Sequence, residues 1–281
     1  MNLLQILILA VIQGAAELLP VSSSAHVIMA EKFMGLDPTS PEFTLLLVML
    51  HTGTMFAAIV YFWKPWISTY FASLDDFRRN ARYVVLASVL TGIVGFGLKT
   101  LIEHLFATSH SDFEIEQLFG NAPLMAAALA AAGILIIASS RIKEQPEGQL
   151  SLGKAALIGA VQGLCLPFRG FSRSGATIST ALAVGVARRK AEEFSFALAV
   201  VLTPAAVARE AMRAYKAQAA MAQSHSDMLV HLAVPSIVGM VCSFLAGLVA
   251  LRWLSRWLEG DRWHLFGGYC LFAALVVYNY G

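Results

Sequence analysis

The sequence predicts an all-α, polytopic integral membrane protein with six transmembrane helices and two re-entrant helical hairpins. Of its 281 residues, 58% are hydrophobic and 14% are charged, whereas a soluble domain usually carries about a quarter charged residues. The net charge of +2 gives no reason to expect a nucleic-acid partner. A membrane-spanning helix needs roughly 20 apolar residues. Six segments meet this requirement, at residues 43–63, 83–103, 120–140, 191–212, 228–251 and 263–280.

Two further apolar regions are interrupted, and they predict the hairpins. Residues 3–34 are broken at 18–24 by a proline and three serines, and residues 152–186 are broken at 167–174 by a proline and a glycine. The arms beside each break contain roughly 12 to 16 residues, which is too few to span a bilayer. Non-helical backbone at membrane depth must be surrounded by protein or by a water-filled cavity. Each break is therefore expected to lie inside the protein.

Lysine and arginine residues predict the orientation of these segments. Thirteen of them lie in four stretches, at residues 64–82, 141–154, 188–190 and 252–262, and basic loops are normally cytoplasmic. The first hairpin is then expected to enter the membrane from outside and the second from the cytoplasm. The other connections hold only Lys32, Arg213 and Lys216.

The two hairpins also resemble each other in sequence. A shift of 149 residues aligns Gln13 with Gln162 and Ser23 with Ser172, and a glycine follows each glutamine. Inverted repeats built around broken helices place a binding site near the bilayer midplane. The chain is expected to form a single membrane domain, 1–281, made of two inverted repeats at approximately 1–140 and 150–281.

Polar residues gather at both breaks. If the two tips meet, one pocket contains Gln13, Glu17, Ser22, Ser23, Ser24 and His26 from the first hairpin and Arg169, Ser172, Arg173, Ser174 and Thr177 from the second. A guanidinium group and hydroxyls suit phosphate oxygens. A carboxylate beside them fits a hard divalent cation that also holds phosphate, or a base, and a histidine can attack phosphorus or shuttle a proton. Together these residue types indicate phosphoryl transfer.

Two details of this pocket are left open by the sequence. Where each helix restarts, its N-terminus is expected to be capped by Ser22 or Ser23 in the first hairpin, and by Ser172 or Ser174 in the second. His51 lies in the middle of a predicted span among small polar residues. It either lines the pocket or packs between helices.

The motifs at the two breaks are similar to those of the bacterial undecaprenyl-diphosphatase family, the bacitracin-resistance family. They are Gln13-x-x-x-Glu17, Leu19-Pro20-Val21-Ser22-Ser23-Ser24-x-His26 and Gly170-Phe171-Ser172-Arg173-Ser174-Gly175-Ala176-Thr177. The resemblance covers essentially the whole chain. It implies a phosphatase of the bacterial cytoplasmic (inner) membrane that converts undecaprenyl diphosphate to the monophosphate carrier of peptidoglycan synthesis. It also implies a divalent cation and a site open to the outer leaflet or periplasm.

Residue roles follow from this resemblance as expectations. It carries over Glu17, Ser23, His26, Ser172, Arg173 and Thr177 as active-site residues. Arg173 is expected to clamp the diphosphate, and Glu17 to bind the cation, Mg²⁺ or Ca²⁺, with help from Gln13. Ser23 is expected to be the nucleophile with His26 as its base, while direct attack by His26 is the alternative. The candidates for substrate binding are Gln13, Ser22, Arg169, Ser172, Ser174 and Thr177.

The sequence departs from the family pattern at two of these positions. Gln13 stands where the family has either glutamate or glutamine, and an uncharged amide cannot act as a base, so more depends on Glu17. Arg169 stands where the family commonly has proline, and it either adds a phosphate contact or points away. The sequence leaves open whether the protein forms a homodimer with a second copy of itself.

A secondary transporter or lipid flippase is the alternative function, because broken helices in inverted repeats are usual in transporters. A serine and arginine pocket could carry an anion without hydrolysing it. The presence of Glu17 and His26 in the same pocket favours chemistry over transport.

Overall fold

The computed structural model describes residues 1–36, 41–107, 120–220 and 225–281. Within these residues the chain forms ten α-helices and no β-strand. The helices are α1 (Leu3–Leu18), α2 (Ser23–Phe33), α3 (Pro41–Tyr70), α4 (Leu74–Ala107), α5 (Ala122–Ser140), α6 (Leu152–Leu164), α7 (Arg173–Ala183), α8 (Arg188–Ala220), α9 (His225–Glu259) and α10 (Trp263–Tyr280). The prediction of an all-α protein is confirmed.

Four helices in the described ranges are long and apolar enough to cross a membrane. They are Leu45–Tyr70 in α3, Leu74–Leu105 in α4, Ala122–Ser140 in α5 and Val234–Glu259 in α9, and they coincide with four of the predicted spans. The other two predicted spans, at 191–212 and 263–280, lie in α8 and α10, which are helical but not among these four. The chain is a multi-pass membrane protein.

The helices at the basic end extend further than the sequence predicts. The sequence predicts a loop at 64–82, but α3 continues to Tyr70 and α4 begins at Leu74. The Ser73 hydroxyl accepts a hydrogen bond from the backbone N–H of Asp76 at 3.1 Å. This bond stabilises the first turn of α4, directly after the short connection. Many polar residues have helix propensities close to those of apolar residues, so a helix can continue beyond the hydrocarbon core. The length of the apolar segment therefore underestimates the length of the helix here.

Both predicted hairpins are broken helices. Residues 19–22 separate α1 from α2, and residues 165–172 separate α6 from α7. At 1.5 Å per residue the four helices are about 17 to 24 Å long, shorter than the roughly 30 Å of a bilayer's hydrocarbon core. Within each pair the two helices pack against each other.

The backbone at each break has a local cause. Pro20 lacks the N–H that would continue α1, and Ser22 adopts a positive φ of 67°, which L residues adopt rarely. In the second break Gly170 has a φ of 103°, and a Cβ there would lie 2.4 Å from the carbonyl oxygen of Met125. Glycine is therefore required at this position for both its conformation and its size.

The two broken helices occupy corresponding places in the bundle. α1 packs against α9 and α6 packs against α4, while α3 packs against α8 and α5 against α10. Glycines allow the close approach of α1 to α9 and of α6 to α4. A Cβ on Gly14 would lie 2.5 Å from the carbonyl oxygen of Ser243, and one on Gly163 would lie 2.9 Å from the carbonyl oxygen of Thr91. This packing buries residues 19–22 of the first break, whereas in the second break Gly170 and Ser172 are buried but Leu166 and Arg169 are exposed.

Candidate active site

Glu17 is the centre of the polar cluster. It lies near the end of α1, and its carboxylate accepts three hydrogen bonds from three helices. Oε1 accepts from Nη2 of Arg173 on α7 at 2.9 Å. Oε2 accepts from the Ser23 hydroxyl on α2 at 2.6 Å and from Nε2 of Gln13 at 3.2 Å. The structure therefore brings the two breaks together around one ion pair.

Local structure positions these groups. Gln13 and Glu17 are four residues apart and share one face of α1, while Ser23 begins α2 immediately after the break. Ser174 joins the two hairpins, because its hydroxyl donates to the Leu19 carbonyl oxygen at 3.2 Å. The charged pair is thus held by contacts within each hairpin and between them.

Arg173 has an unused hydrogen-bond donor in this cluster. Its Nη1 is buried and has no hydrogen-bond partner within the described part of the chain, although Nη2 is bound to Glu17. The side chains of Arg173 and Glu17 are 22% and 18% exposed. A buried donor without a partner costs free energy, and such a group in a native protein calls for an explanation, of which a bound ion is one. An anion beside Nη1 supplies one.

His51 also faces the Glu17 carboxylate. Its Nε2 lies 3.9 Å from Oε2 of Glu17, and its Nδ1 lies 2.8 Å from the carbonyl oxygen of Leu47. A carbonyl oxygen only accepts, so Nδ1 carries a proton. Of the two interpretations that the sequence left open, the structure favours the one in which His51 lines the pocket.

His26 contacts a different set of groups from those around Glu17. Its Nδ1 lies 2.8 Å from the Ser22 carbonyl oxygen, so this nitrogen donates, and its Nε2 accepts from the hydroxyl of Tyr269 at 2.7 Å. The two rings stack with centroids 5.6 Å apart. The Ser23 hydroxyl donates to Glu17, so the acceptor in contact with Ser23 is this carboxylate and not His26.

The remaining predicted residues divide between the pocket and its walls. Ser172 caps α7, accepting from the Gly175 N–H at 3.2 Å, whereas Ser22 occupies the N-cap position of α2 without a side-chain capping bond. Thr177 is fully buried, and its hydroxyl contacts Ser195 of α8 at 2.6 Å. That hydroxyl serves the packing of α7 against α8.

Arg169 lies in the second break and interacts electrostatically with Glu31 of α2. Glu31 is buried, with 5% of its surface exposed. The positive charge of Arg169 therefore acts on the C-terminal part of α2, and the arginine itself is exposed.

Sequence reasoning missed Tyr269, which holds His26. No motif marks it, because it lies in an apolar stretch 243 residues further along the chain. A phenol in a membrane helix is common enough that only the three-dimensional contact identifies it.

The donor set determines what kind of metal this site can take. In the part of the chain that the structure describes, no three His, Cys, Asp or Glu side chains are grouped so as to hold a metal ion. The central cluster offers the single carboxylate of Glu17, the amide of Gln13 and several hydroxyls. This fits a cation such as Mg²⁺ that takes one or two carboxylates and completes its shell with substrate phosphates and water.

The fold and this cluster define an integral membrane protein with a largely buried ion pair, between Glu17 and Arg173, where two broken helices meet. The family model described as bacitracin resistance protein BacA matches residues 6–276. The chain belongs to this family.

Named relatives cover almost the whole chain. A protein of Acinetobacter baylyi named undecaprenyl-diphosphatase 2 is 62% identical over 277 residues, covering 99% of this chain and 97% of the relative. The undecaprenyl-diphosphatase 2 of Burkholderia thailandensis is 32% identical over 98% of this chain and 95% of its own length. The undecaprenyl-diphosphatase of Rhodopirellula baltica is 31% identical, with 98% and 97% covered.

Proposed function

We propose that this protein is an undecaprenyl-diphosphate phosphatase. It hydrolyses undecaprenyl diphosphate to undecaprenyl phosphate and inorganic phosphate, which recycles the lipid carrier for peptidoglycan synthesis and gives resistance to bacitracin. Family membership and the names of the relatives support the activity. One observation links this activity to the site. Nη1 of Arg173 has no hydrogen-bond partner among the described residues, and the Ser23–Glu17 hydrogen bond lies beside the same guanidinium group.

Arg173 binds the terminal phosphate in this proposal. A guanidinium group can engage two anions at once, because its donors are fixed in one plane. Nη2 stays on Glu17 and Nη1 takes a phosphate oxygen, forming a charge-assisted hydrogen bond. As negative charge builds on the phosphoryl oxygens during transfer, the fixed positive charge stabilises the transition state.

Ser23 is the proposed nucleophile and Glu17 accepts its proton. The bond from Ser23 Oγ to the terminal phosphorus forms as the anhydride bond breaks, and undecaprenyl phosphate leaves. Water then hydrolyses the phosphoserine and releases inorganic phosphate. The 2.6 Å contact between the Ser23 hydroxyl and Glu17 supports this pairing. Attack by His26 itself is the alternative, and it requires Nε2 to leave Tyr269.

A divalent cation, Mg²⁺ or Ca²⁺, completes the proposed site. Glu17 and the amide oxygen of Gln13 would hold it together with the substrate phosphates. When bound, the cation supplies positive charge that offsets the charge of the diphosphate. Ser22, Arg169 and Ser172 lie in the two breaks and Ser174 lies in the first turn of α7. These four residues are proposed to shape the head-group site.

The proposed topology has six spans, two re-entrant hairpins and inverted repeats at 1–140 and 150–281. Support comes from the matched packing of α1 on α9 and of α6 on α4, and from Gly14 and Gly163, which occupy equivalent places in the two repeats. The thirteen basic residues in four stretches support a cytoplasmic position for those stretches. The family resemblance implies that the site faces the outer leaflet of the bacterial inner membrane, and this is part of the proposal.

Phosphate release tests the proposal. Purified protein in detergent should release inorganic phosphate from undecaprenyl diphosphate when Mg²⁺ or Ca²⁺ is added, and Glu17→Gln should abolish release while the protein stays folded. Absence of release from folded wild-type protein would refute the function.

A lipid flippase is the second candidate, favoured by the two broken helices that meet inside the bundle. Movement of a labelled prenyl phosphate across a proteoliposome membrane, without phosphate release, would support it instead.

A further inference from the structure

The contact between Glu17 and His51 has no part in the reaction proposed above. Nε2 of His51 on α3 faces Oε2 of Glu17 on α1 across 3.9 Å. Atoms joined by a hydrogen bond lie about 2.7–3.2 Å apart, so no hydrogen bond connects these two. Nδ1 of His51 donates its proton to the carbonyl oxygen of Leu47, and in a neutral ring Nε2 then presents a lone pair. A nitrogen lone pair and a carboxylate oxygen therefore face each other.

The position of His51 is fixed by contacts on both sides of it in α3. The Ser243 hydroxyl of α9 donates to the carbonyl oxygen of Leu50 at 3.0 Å. A Cβ on Gly53 would clash with the carbonyl oxygen of Met240, so α3 and α9 approach each other closely there. Histidines that bind metals usually donate their second ring N–H to a carbonyl or a carboxylate, which fixes the orientation of the ring. The bond from Nδ1 to a backbone carbonyl gives His51 this arrangement.

The space between the two side chains suits a metal ion. Two metal–ligand bonds of about 2.1 Å join donor atoms that lie up to about 4.2 Å apart, so a separation of 3.9 Å admits one cation. The side chains of His51 and Glu17 are 40% and 18% exposed, so the pair is not sealed inside the helix packing. Nε2 of Gln13 donates to the same carboxylate oxygen at 3.2 Å, and half a turn of this amide presents its oxygen there instead. One carboxylate, one imidazole and one amide thus converge.

We propose that His51 is a direct ligand, through Nε2, of the divalent cation that Glu17 holds. The proposal rests on the proposed function, which places a cation at Glu17 and Gln13 together with the substrate phosphates. Arg173 occupies the other carboxylate oxygen, Oε1. The cation and the guanidinium group therefore contact different oxygens of Glu17, and both can contact the diphosphate.

A nitrogen ligand changes which cations the site prefers. Ca²⁺ is bound by oxygen ligands, whereas imidazole suits transition metals. A set made of Glu17, Gln13 and His51 therefore favours a transition-metal ion such as Mn²⁺ over Ca²⁺.

Mn²⁺ serves as a paramagnetic probe that tests this ligand without turnover. Full-length protein labelled with ¹⁵N-histidine, in detergent with methylene-bridged farnesyl diphosphate, should bind Mn²⁺ and show the ¹⁵N coupling of a directly bound imidazole in pulsed EPR. His51→Gln should lose this coupling and bind Mn²⁺ at least about tenfold more weakly. The matched variant His26→Gln should keep the coupling, because Nε2 of His26 is hydrogen-bonded to Tyr269.

Several results would overturn the assignment of His51. They are wild-type protein that binds no Mn²⁺ or binds it without imidazole coupling, coupling that persists in His51→Gln, and coupling that persists in Glu17→Gln. If thermal unfolding shows that His51→Gln does not fold, His26→Gln decides, since loss of the coupling in that variant would assign the ligand to His26. The proposed function fails by a different result, the absence of phosphate release from undecaprenyl diphosphate by folded wild-type protein.

Discussion

Arg173→Lys separates the two hydrogen-bonding roles that the structure gives to the Arg173 guanidinium group. Nη2 binds Glu17 at 2.9 Å and Nη1 is buried without a protein partner in the described part of the chain. A lysine has a single nitrogen, so it keeps the ion pair or reaches the phosphate but does not do both in the geometry of a planar group. The substitution keeps the positive charge, so Glu17 is not left as an uncompensated buried charge.

The expected loss follows from one missing hydrogen bond to a charged group. Such a bond contributes about 1.5–3 kcal/mol, which corresponds to a loss of about 10- to 150-fold in kcat/KM. Because the phosphoryl charge grows during transfer, most of this loss should appear in kcat. The assay is steady-state release of inorganic phosphate from undecaprenyl diphosphate in detergent, with thermal unfolding measured on the same samples.

Arg79→Lys is the matched control, because Arg79 forms an exposed ion pair with Asp76 far from the breaks in sequence. It should behave as wild type. The reasoning about Nη1 would be refuted if Arg173→Lys kept kcat/KM within about twofold of wild type, a free-energy change below about 0.5 kcal/mol. It would also fail if activity fell only in proportion to a loss of folded protein.

Three further substitutions test other contacts. Ser23→Ala removes the proposed nucleophile and should lower phosphate release by at least about 1,000-fold, and trapping of phosphate on this serine in wild-type protein should be possible. Tyr269→Phe removes the donor to His26 and should change turnover little, since neither side chain contacts the Ser23 hydroxyl. A loss of turnover above about tenfold would show that His26 takes part in the reaction. Gly14→Ala should lower stability by about 1–3 kcal/mol, measured by thermal unfolding, because its Cβ would lie 2.5 Å from the Ser243 oxygen.

Controls for these variants are available in the same helices or in comparable ones. Ser24→Ala should retain most activity, because the Ser24 hydroxyl contacts Ser22 and not the carboxylate. Gly92→Ala should not lower stability, since a Cβ there meets nothing within 4 Å. Equal effects in a variant and its control would show that the assigned contact has no special role.

The positions of the breaks could be predicted because their causes are local. Pro20 and the serines after it interrupt α1 wherever the chain is placed, and Gly170 marks the second interruption in the same way. The meeting of Glu17 with Arg173, 156 residues apart, followed from the repeat and from the basic residues, which place the two tips at one depth. The ends of the helices outside the bilayer could not be predicted in this way. The length of an apolar segment gives no information about the polar residues that continue the same helix.

The partners of individual side chains could not be predicted. The motif predicts that His26 activates Ser23, but the His26 ring is hydrogen-bonded to Tyr269 on α10. Thr177 belongs to the motif, yet its hydroxyl packs against Ser195. Motif spacing gives proximity along the chain, whereas the direction of a side chain depends on helices that are distant in sequence.

A crystal structure with a bound methylene-bridged prenyl diphosphate would show where the diphosphate binds. We expect the terminal phosphate within hydrogen-bond distance of Nη1 of Arg173, with the Ser23 hydroxyl facing its phosphorus and Glu17 still in contact with both side chains. A head group bound elsewhere, with Arg173 and Ser23 separated from it by packed helix or by lipid, would show that this cluster is not the active site.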